Sequence, residues 1–260
     1  MGKGRKSPNE LTFLEHLEDL RKRLFLAIIS IIIAAIPSWF FSKEIYKILS
    51  RPVTKYLPEG TKLAYTHLTA PFILYIKVAF LTAIFIAAPY IFLQLWYFVA
   101  PGLYKKEKKY LFPFIFFTSI FFIGGALFGY FVAFPFACNF FIQMGQEFTP
   151  VLTVDQFFSL AIKLLLGIAI VFELPTLVFF LSRMGIVTHK WMIKNFKYAI
   201  LIVFIIAAII TPSPDVINQS IIAGPMLALY GLSIFISLLF GKKKDKSIKK
   251  KNNKKQSPAG

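Results

Sequence analysis

Apolar residues in this chain fall into long unbroken runs divided by short polar stretches, without the half-wetted patterning of a water-soluble domain. A hydrocarbon core about 30 Å thick requires roughly 20 apolar residues in a helix rising 1.5 Å per residue. Five runs of that order lie at about 24–41, 72–99, 111–136, 157–182 and 216–240. A sixth is shorter, with only about 13 uncharged residues from Tyr198 to Ile210, which as helix reach roughly 20 Å. Such an element must thin the bilayer, sit behind its neighbours or recruit the 191–197 segment with its lysines snorkelling. The expectation is an all-α polytopic membrane protein: an amphipathic segment over 1–23, six spans over 24–240, and a tail over 241–260.

Composition supports that class, since 57% of the 260 residues are hydrophobic and 31 are Phe, too apolar for a soluble domain of this size. Charge then orients it. With six spans, 23 of the 30 Lys and Arg residues lie on one side: before the first helix, around 105–109, around 183–197, and in the tail from Lys242 to Lys255. That side reads as the cytoplasm, with both termini inside. The first outer segment departs from the rule, carrying Lys43, Lys47, Arg51, Lys55 and Lys62. Its Phe40 to Leu49 part reads as an interfacial amphipathic helix. The other two outer connections, around 144–155 and 211–215, carry no basic residue.

A formal net charge of +18 in a soluble chain would suggest nucleic acid. Here the basic residues gather at the cytoplasmic rim and in a Lys/Asn-rich tail with little apolar content, so the expected partner is anionic lipid and the tail is expected to be disordered. Catalytic and metal chemistry find no support. The single Cys138 permits no intrachain disulfide, His16, His67 and His189 form no ligand spacing, and no Gly-rich phosphate loop or nucleophile elbow occurs. No enzyme activity, metal or cofactor is expected.

Among 12 acidic residues, a few stand where a carboxylate needs a reason. Glu15, Glu18 and Asp19 precede the first span, in a segment whose Leu14, Leu17, Leu20 and Leu24 form one stripe. That segment is either a plain surface anchor or a carboxylate receptor for a guanidinium, whose fork pairs bidentately with carboxylate. Glu107, amid four lysines, is either a local ion-pair partner or a second carboxylate for the same cation. Glu173 falls inside the fourth apolar run, where a carboxylate must face protein or a wet cavity. Pro175, two residues on, removes a ladder hydrogen bond and predicts a kink beside it. Gln94 is a further polar residue near the end of the second run, and Asp215 stands at an outer turn.

Four motifs occur in order: H-L-E-D-L-R-K-R-L at His16 to Leu24, Trp96 to Glu107 with Pro101-Gly102-Leu103-Tyr104, F-E-L-P at Phe172 to Pro175, and T-P-x-x-D at Thr211 to Asp215. Together they resemble the TatC family, the multispanning core of the twin-arginine protein translocase. The resemblance implies six helices in a cupped, glove-like bundle with short fifth and sixth helices. It also implies partnership with TatA- and TatB-like single-span proteins, self-association in a larger receptor complex, and binding of twin-arginine signal peptides of folded cargo, with transport driven by the protonmotive force. Carried over, the signal-binding positions fall on Asp19, Arg21, Arg23, Phe98 and Glu107. Asp19 is one methylene shorter than the family's usual Glu, which leaves Glu18 and Glu15 as assisting candidates. Glu173, with Pro175 and Gln94, matches the intramembrane polar position expected to contact a partner helix, and Asp215 matches the acidic residue of the outer loop.

A second reading is a proton-coupled secondary transporter with Glu173 as carrier. Folds of that kind usually show internal repeats, and none is evident between residues 24–136 and 157–240.

Overall fold

The computed structural model describes residues 13–56, 63–99, 111–145, 147–148, 151–211 and 215–241. The charged opening segment and the first apolar run form one helix, α1 (Phe13–Phe40). Its Leu, Glu and Arg residues favour helix, and no Gly or Pro intervenes until Pro37. α1 packs mainly along α3 (Ala70–Val99). Between them lies α2 (Ser42–Thr54), amphipathic as expected, with Leu49 and Val53 buried while Lys43, Lys47 and Arg51 are exposed. That placement accounts for Lys43, Lys47 and Arg51 among the five basic residues that break the charge rule; Lys55 follows the helix, and Lys62 lies outside the described residues.

The third apolar run is longer than its expected 111–136 and is not uniform. α4 (Leu111–Phe128) passes through a π-helical turn, Gly129–Ala133, into α5 (Phe134–Met144). Pro135 cannot donate to the carbonyl four residues back, and a widened turn takes up the lost register. Within that turn the Tyr130 hydroxyl donates to the Ile48 carbonyl of α2 at 2.7 Å, tying the span to the outer helix. Close approach of α4 to α6 (Val154–Val171) requires glycine, since a Cβ on Gly125 would stand 2.7 Å from the Ala169 Cα.

The fourth run breaks near the expected kink: α6 ends at Val171 and α7 (Leu174–Arg183) begins after Phe172 and Glu173, with Pro175 in its first turn. A short α8 (His189–Lys194) leads to α9 (Phe196–Ile210) and α10 (Val216–Phe240). The resemblance implied a short fifth and a short sixth span. α9 is short, at 15 residues, but α10 runs 25 residues, because its apolar run holds no charge and continues through Pro225. Among the described residues five helices are long and apolar enough to cross a membrane, counting α4–α5 and α6–α7 as one each, with α9 the shorter sixth.

At the end opposite the N terminus the turns are tightly pinned. Ala64 and Thr153 form a two-residue parallel bridge, Lys77 pairs with Asp155 at 3.0 Å, and the Thr153 side chain caps α6 through the Gln156 amide. The core lies where α3, α5, α6, α9 and α10 meet, around Leu74, Val78, Phe134, Leu164, Ala207 and Met226. Outward, Phe25, Ile32, Ile33 and Ile36 of α1 are more than half exposed, as a helix face against lipid must be.

Candidate functional site

Two polar clusters stand out, one at each of two depths. The first forms where the start of α1 meets the end of α3. Arg23 Nε donates to Asp19 Oδ1 at 3.2 Å, one helical turn away. Its Nη1 donates to Gln94 Oε1 at 3.3 Å, and the guanidinium lies 5.1 Å from the centre of the Tyr97 ring. Carboxylate, amide oxygen and aromatic face thus surround one guanidinium, which is the donor set such a cation prefers. Beside them His16 stacks on Phe98, with ring centroids 4.5 Å apart and planes at 20°. Glu18 and Arg21 are exposed on the same helix, and Glu15 is half-buried.

The structure therefore brings together Asp19, Arg23, Phe98 and Gln94. Gln94 belongs to this cluster rather than to the intramembrane group around Glu173: it is 5% exposed and turned toward Arg23. A partner helix cannot reach a side chain buried there. Glu107 lies outside the described residues. Tyr97 stands in no telling pattern of the sequence, and His16 only at the head of a motif without a role; Tyr97 is one turn beyond Gln94, but its role depends on which face of α3 meets α1.

The second cluster is built at the break between α6 and α7. Glu173 occupies the position before α7, its own carbonyl accepting from the Leu177 amide at 2.9 Å. Its side chain enters a pocket of about 300 Å³ between α3, α4 and α7. The pocket wall is aromatic: Trp96, Phe114 and Phe180 pack mutually with centroids 4.4 to 5.0 Å apart. Glu173 Oε1 and the Thr118 hydroxyl are buried there without a hydrogen-bond partner among the described residues, and the buried Thr176 hydroxyl lies beside the Glu173 carboxyl. Such groups cost free energy until a partner supplies the bonds. Thr176 was discoverable from its i+3 spacing to Glu173; Thr118 needed the tertiary packing of α4 on α7.

Asp215 takes a local role, accepting from the Asn218 amide at 2.7 Å and from its Nδ2 at 2.8 Å, and so capping α10. Cys138 is buried, and no cluster of three or more potential metal ligands occurs among the described residues.

Known proteins resemble this chain along most of its length. The family model described as Sec-independent protein translocase protein (TatC) matches residues 15–225. The protein of that name from Koribacter versatilis is 43% identical over 232 residues, covering 88% of this chain and 86% of its own. The one from Desulforapulum autotrophicum is 40% identical over 241 residues, covering 92% and 87%. A solved structure, the crystal structure of the twin arginine translocase receptor TatC, superposes with a TM-score of 0.74 at 37% identity, covering 86% of this chain and 99% of that one. With the family match spanning most of its length and relatives of the same name 40% and more identical over most of both chains, the chain belongs to the TatC family of Sec-independent protein translocase proteins.

Proposed function

We propose that this chain is the core subunit of a twin-arginine translocase and receives the arginine pair of a signal peptide at the junction of α1 and α3. The observation that carries this reading is the seating of a guanidinium, Arg23, among Asp19, Gln94 and Tyr97. A surface that holds its own arginine in this way presents the groups that hold another. Asp19, assisted by Glu18 and by Glu107 of the following connection, accepts the incoming arginines, while Phe98 flanks them. Charge-assisted bonds of this kind contribute about 1.5 to 3 kcal/mol each, which gives moderate affinity from two arginines. The site then lies on the cytoplasmic face, with both termini inside, as the distribution of Lys and Arg favours.

In the same reading Glu173, Thr118 and Thr176 meet a polar side chain on the single span of a TatA- or TatB-like partner, whose apolar face fills the aromatic pocket. A proton-coupled carrier gains little support from this pocket. The described residues lining it include no titratable side chain other than Glu173, so a relay has no second station.

Photo-crosslinking tests the main proposal. A photoreactive residue at position 98 is expected to label a twin-arginine signal peptide strongly and its Lys-Lys counterpart weakly, since an ammonium lacks the bidentate fork. Equal labelling of both peptides would refute the guanidinium site.

A further inference from the structure

The early end of α9 leaves part of α6 uncovered. A Cβ on Gly167 would stand 3.2 Å from Ile210 of α9, so the last turn of α9 lies level with Gly167. That level is about 20 Å along α6 from Val154 at 1.5 Å per residue. On the same face, above the contact and toward the end of the bundle opposite the N terminus, stand Lys163, Ser159 and Gln156, all exposed. Their spacing of four and three residues keeps them on one stripe. Below Lys163 the stripe turns apolar, through Leu166 and Gly167 to the exposed Ile170.

We propose that this notch binds the phosphate of an anionic phospholipid drawn down from the leaflet opposite the N terminus. A lysine within a membrane-spanning helix is costly and marks a site with a counter-charge. Among the described residues Lys163 has no carboxylate partner, and the acidic residue at the same end of α6, Asp155, is held by Lys77 at 3.0 Å. The order along the stripe is that of a lipid: amide, hydroxyl and ammonium at headgroup level, then aliphatic side chains. A carboxylate on a partner span would favour polar groups on both sides of the lysine, whereas here they lie only on its outward side. The depth also fits. α9 has 15 residues, so it spans about 22 Å of a hydrocarbon layer about 30 Å thick. The leaflet must dip beside it, and a snorkelling lysine reaches upward to meet the lowered phosphate. This site is separate from the guanidinium cluster of α1 and α3 and does not depend on signal-peptide recognition.

A local reporter tests it without interference from those other lysines. The Cys138→Ser, Ile170→Cys protein, labelled with bimane on the exposed apolar part of the stripe and reconstituted in phosphatidylcholine vesicles, is titrated with phosphatidylglycerol spin-labelled partway down its acyl chain, or with phosphatidylcholine carrying the same label. Quenching is expected to favour phosphatidylglycerol. Adding Lys163→Gln is expected to weaken that preference about fivefold, the worth of one lysine near an anionic surface, while Lys163→Arg retains it. Equal quenching by the two lipids, or a preference unmoved by Lys163→Gln in a protein that still elutes as a folded species, would overturn the proposal. Quenching by phosphatidylglycerol that disappears only when an acidic single-span protein is added supports it, since the lipid was bound first. Loss of that protein's association in Lys163→Gln with no lipid preference at all assigns the notch to the partner and overturns it.

Discussion

Two residues, Arg23 and Glu173, show how differently polar groups are handled at the two depths. The Asp19 and Arg23 side chains are 23% and 27% exposed, and an i, i+4 pair in that setting contributes only about 0.5 kcal/mol. Arg23 matters more because it supplies a donor to the buried oxygen of Gln94, an acceptor that would otherwise cost about 1 to 3 kcal/mol. The Glu173 carboxyl has the Thr176 hydroxyl beside it, but among the described residues its Oε1 and the Thr118 hydroxyl stay buried without a partner, which leaves hydrogen-bonding capacity for another chain. Glu173→Ala is therefore expected to weaken association with a TatA- or TatB-like span by about threefold to tenfold, the range of one interhelical hydrogen bond in a bilayer. Glu173→Gln, which keeps an acceptor, should retain most of it. Energy transfer between labelled proteins in vesicles measures the association, and crosslinking of a twin-arginine peptide at position 98 should be unchanged in both variants. Lost peptide labelling with intact partner association would reverse the two assignments.

The helices carry their irregularities at positions fixed by close contact. Gly125 and its neighbour Gly124 make a direct test: a Cβ at 125 would meet the Ala169 backbone at 2.7 Å, whereas one at 124 meets nothing within 4 Å. Gly125→Leu should lower stability by about 1 to 3 kcal/mol through overpacking, seen as a reduced Tm in detergent, and Gly124→Leu should be close to neutral. Similar losses at both positions would remove the α4–α6 contact from the account. Much of this level could be read from residue order alone. Apolar runs marked all six spans, the 13 uncharged residues before Thr211 marked the short one, and Pro175 marked the break beside Glu173. What could not be read depended on faces and register. Nothing local shows that Arg23 reaches Gln94, 71 positions away, that Thr118 joins Glu173, or that the strain at Pro135 resolves as a π-helical turn over Gly129–Ala133. The length of α10 was legible in its uninterrupted run, and the implied short sixth helix ran against it.

Across the whole molecule, unequal helices and unequal charge describe the same asymmetry. One end carries the guanidinium cluster of α1 and α3; the other is pinned by α2, the Ala64–Thr153 bridge and the Lys77–Asp155 pair. The basic α2 lies at that second end, so charge counting by itself gives a mixed signal there, and the exposed polar face of α2 resolves it as a surface helix rather than a misplaced loop. The orientation that follows can be measured in sealed vesicles of known sidedness, with single cysteines placed in the Cys138→Ser background. A membrane-impermeant thiol reagent added on the cytoplasmic side is expected to label cysteines at Arg21 and Lys190, and on the opposite side to label those at Lys47 and Val151. Four exposed positions are chosen so that a failed reaction at one does not decide the result. Labelling of Arg21 and Lys47 from the same side would require an odd number of crossings by α1, α2 and their junction to be replaced by a re-entrant path, and both the six-span topology and the cytoplasmic placement of the arginine receptor would fall together.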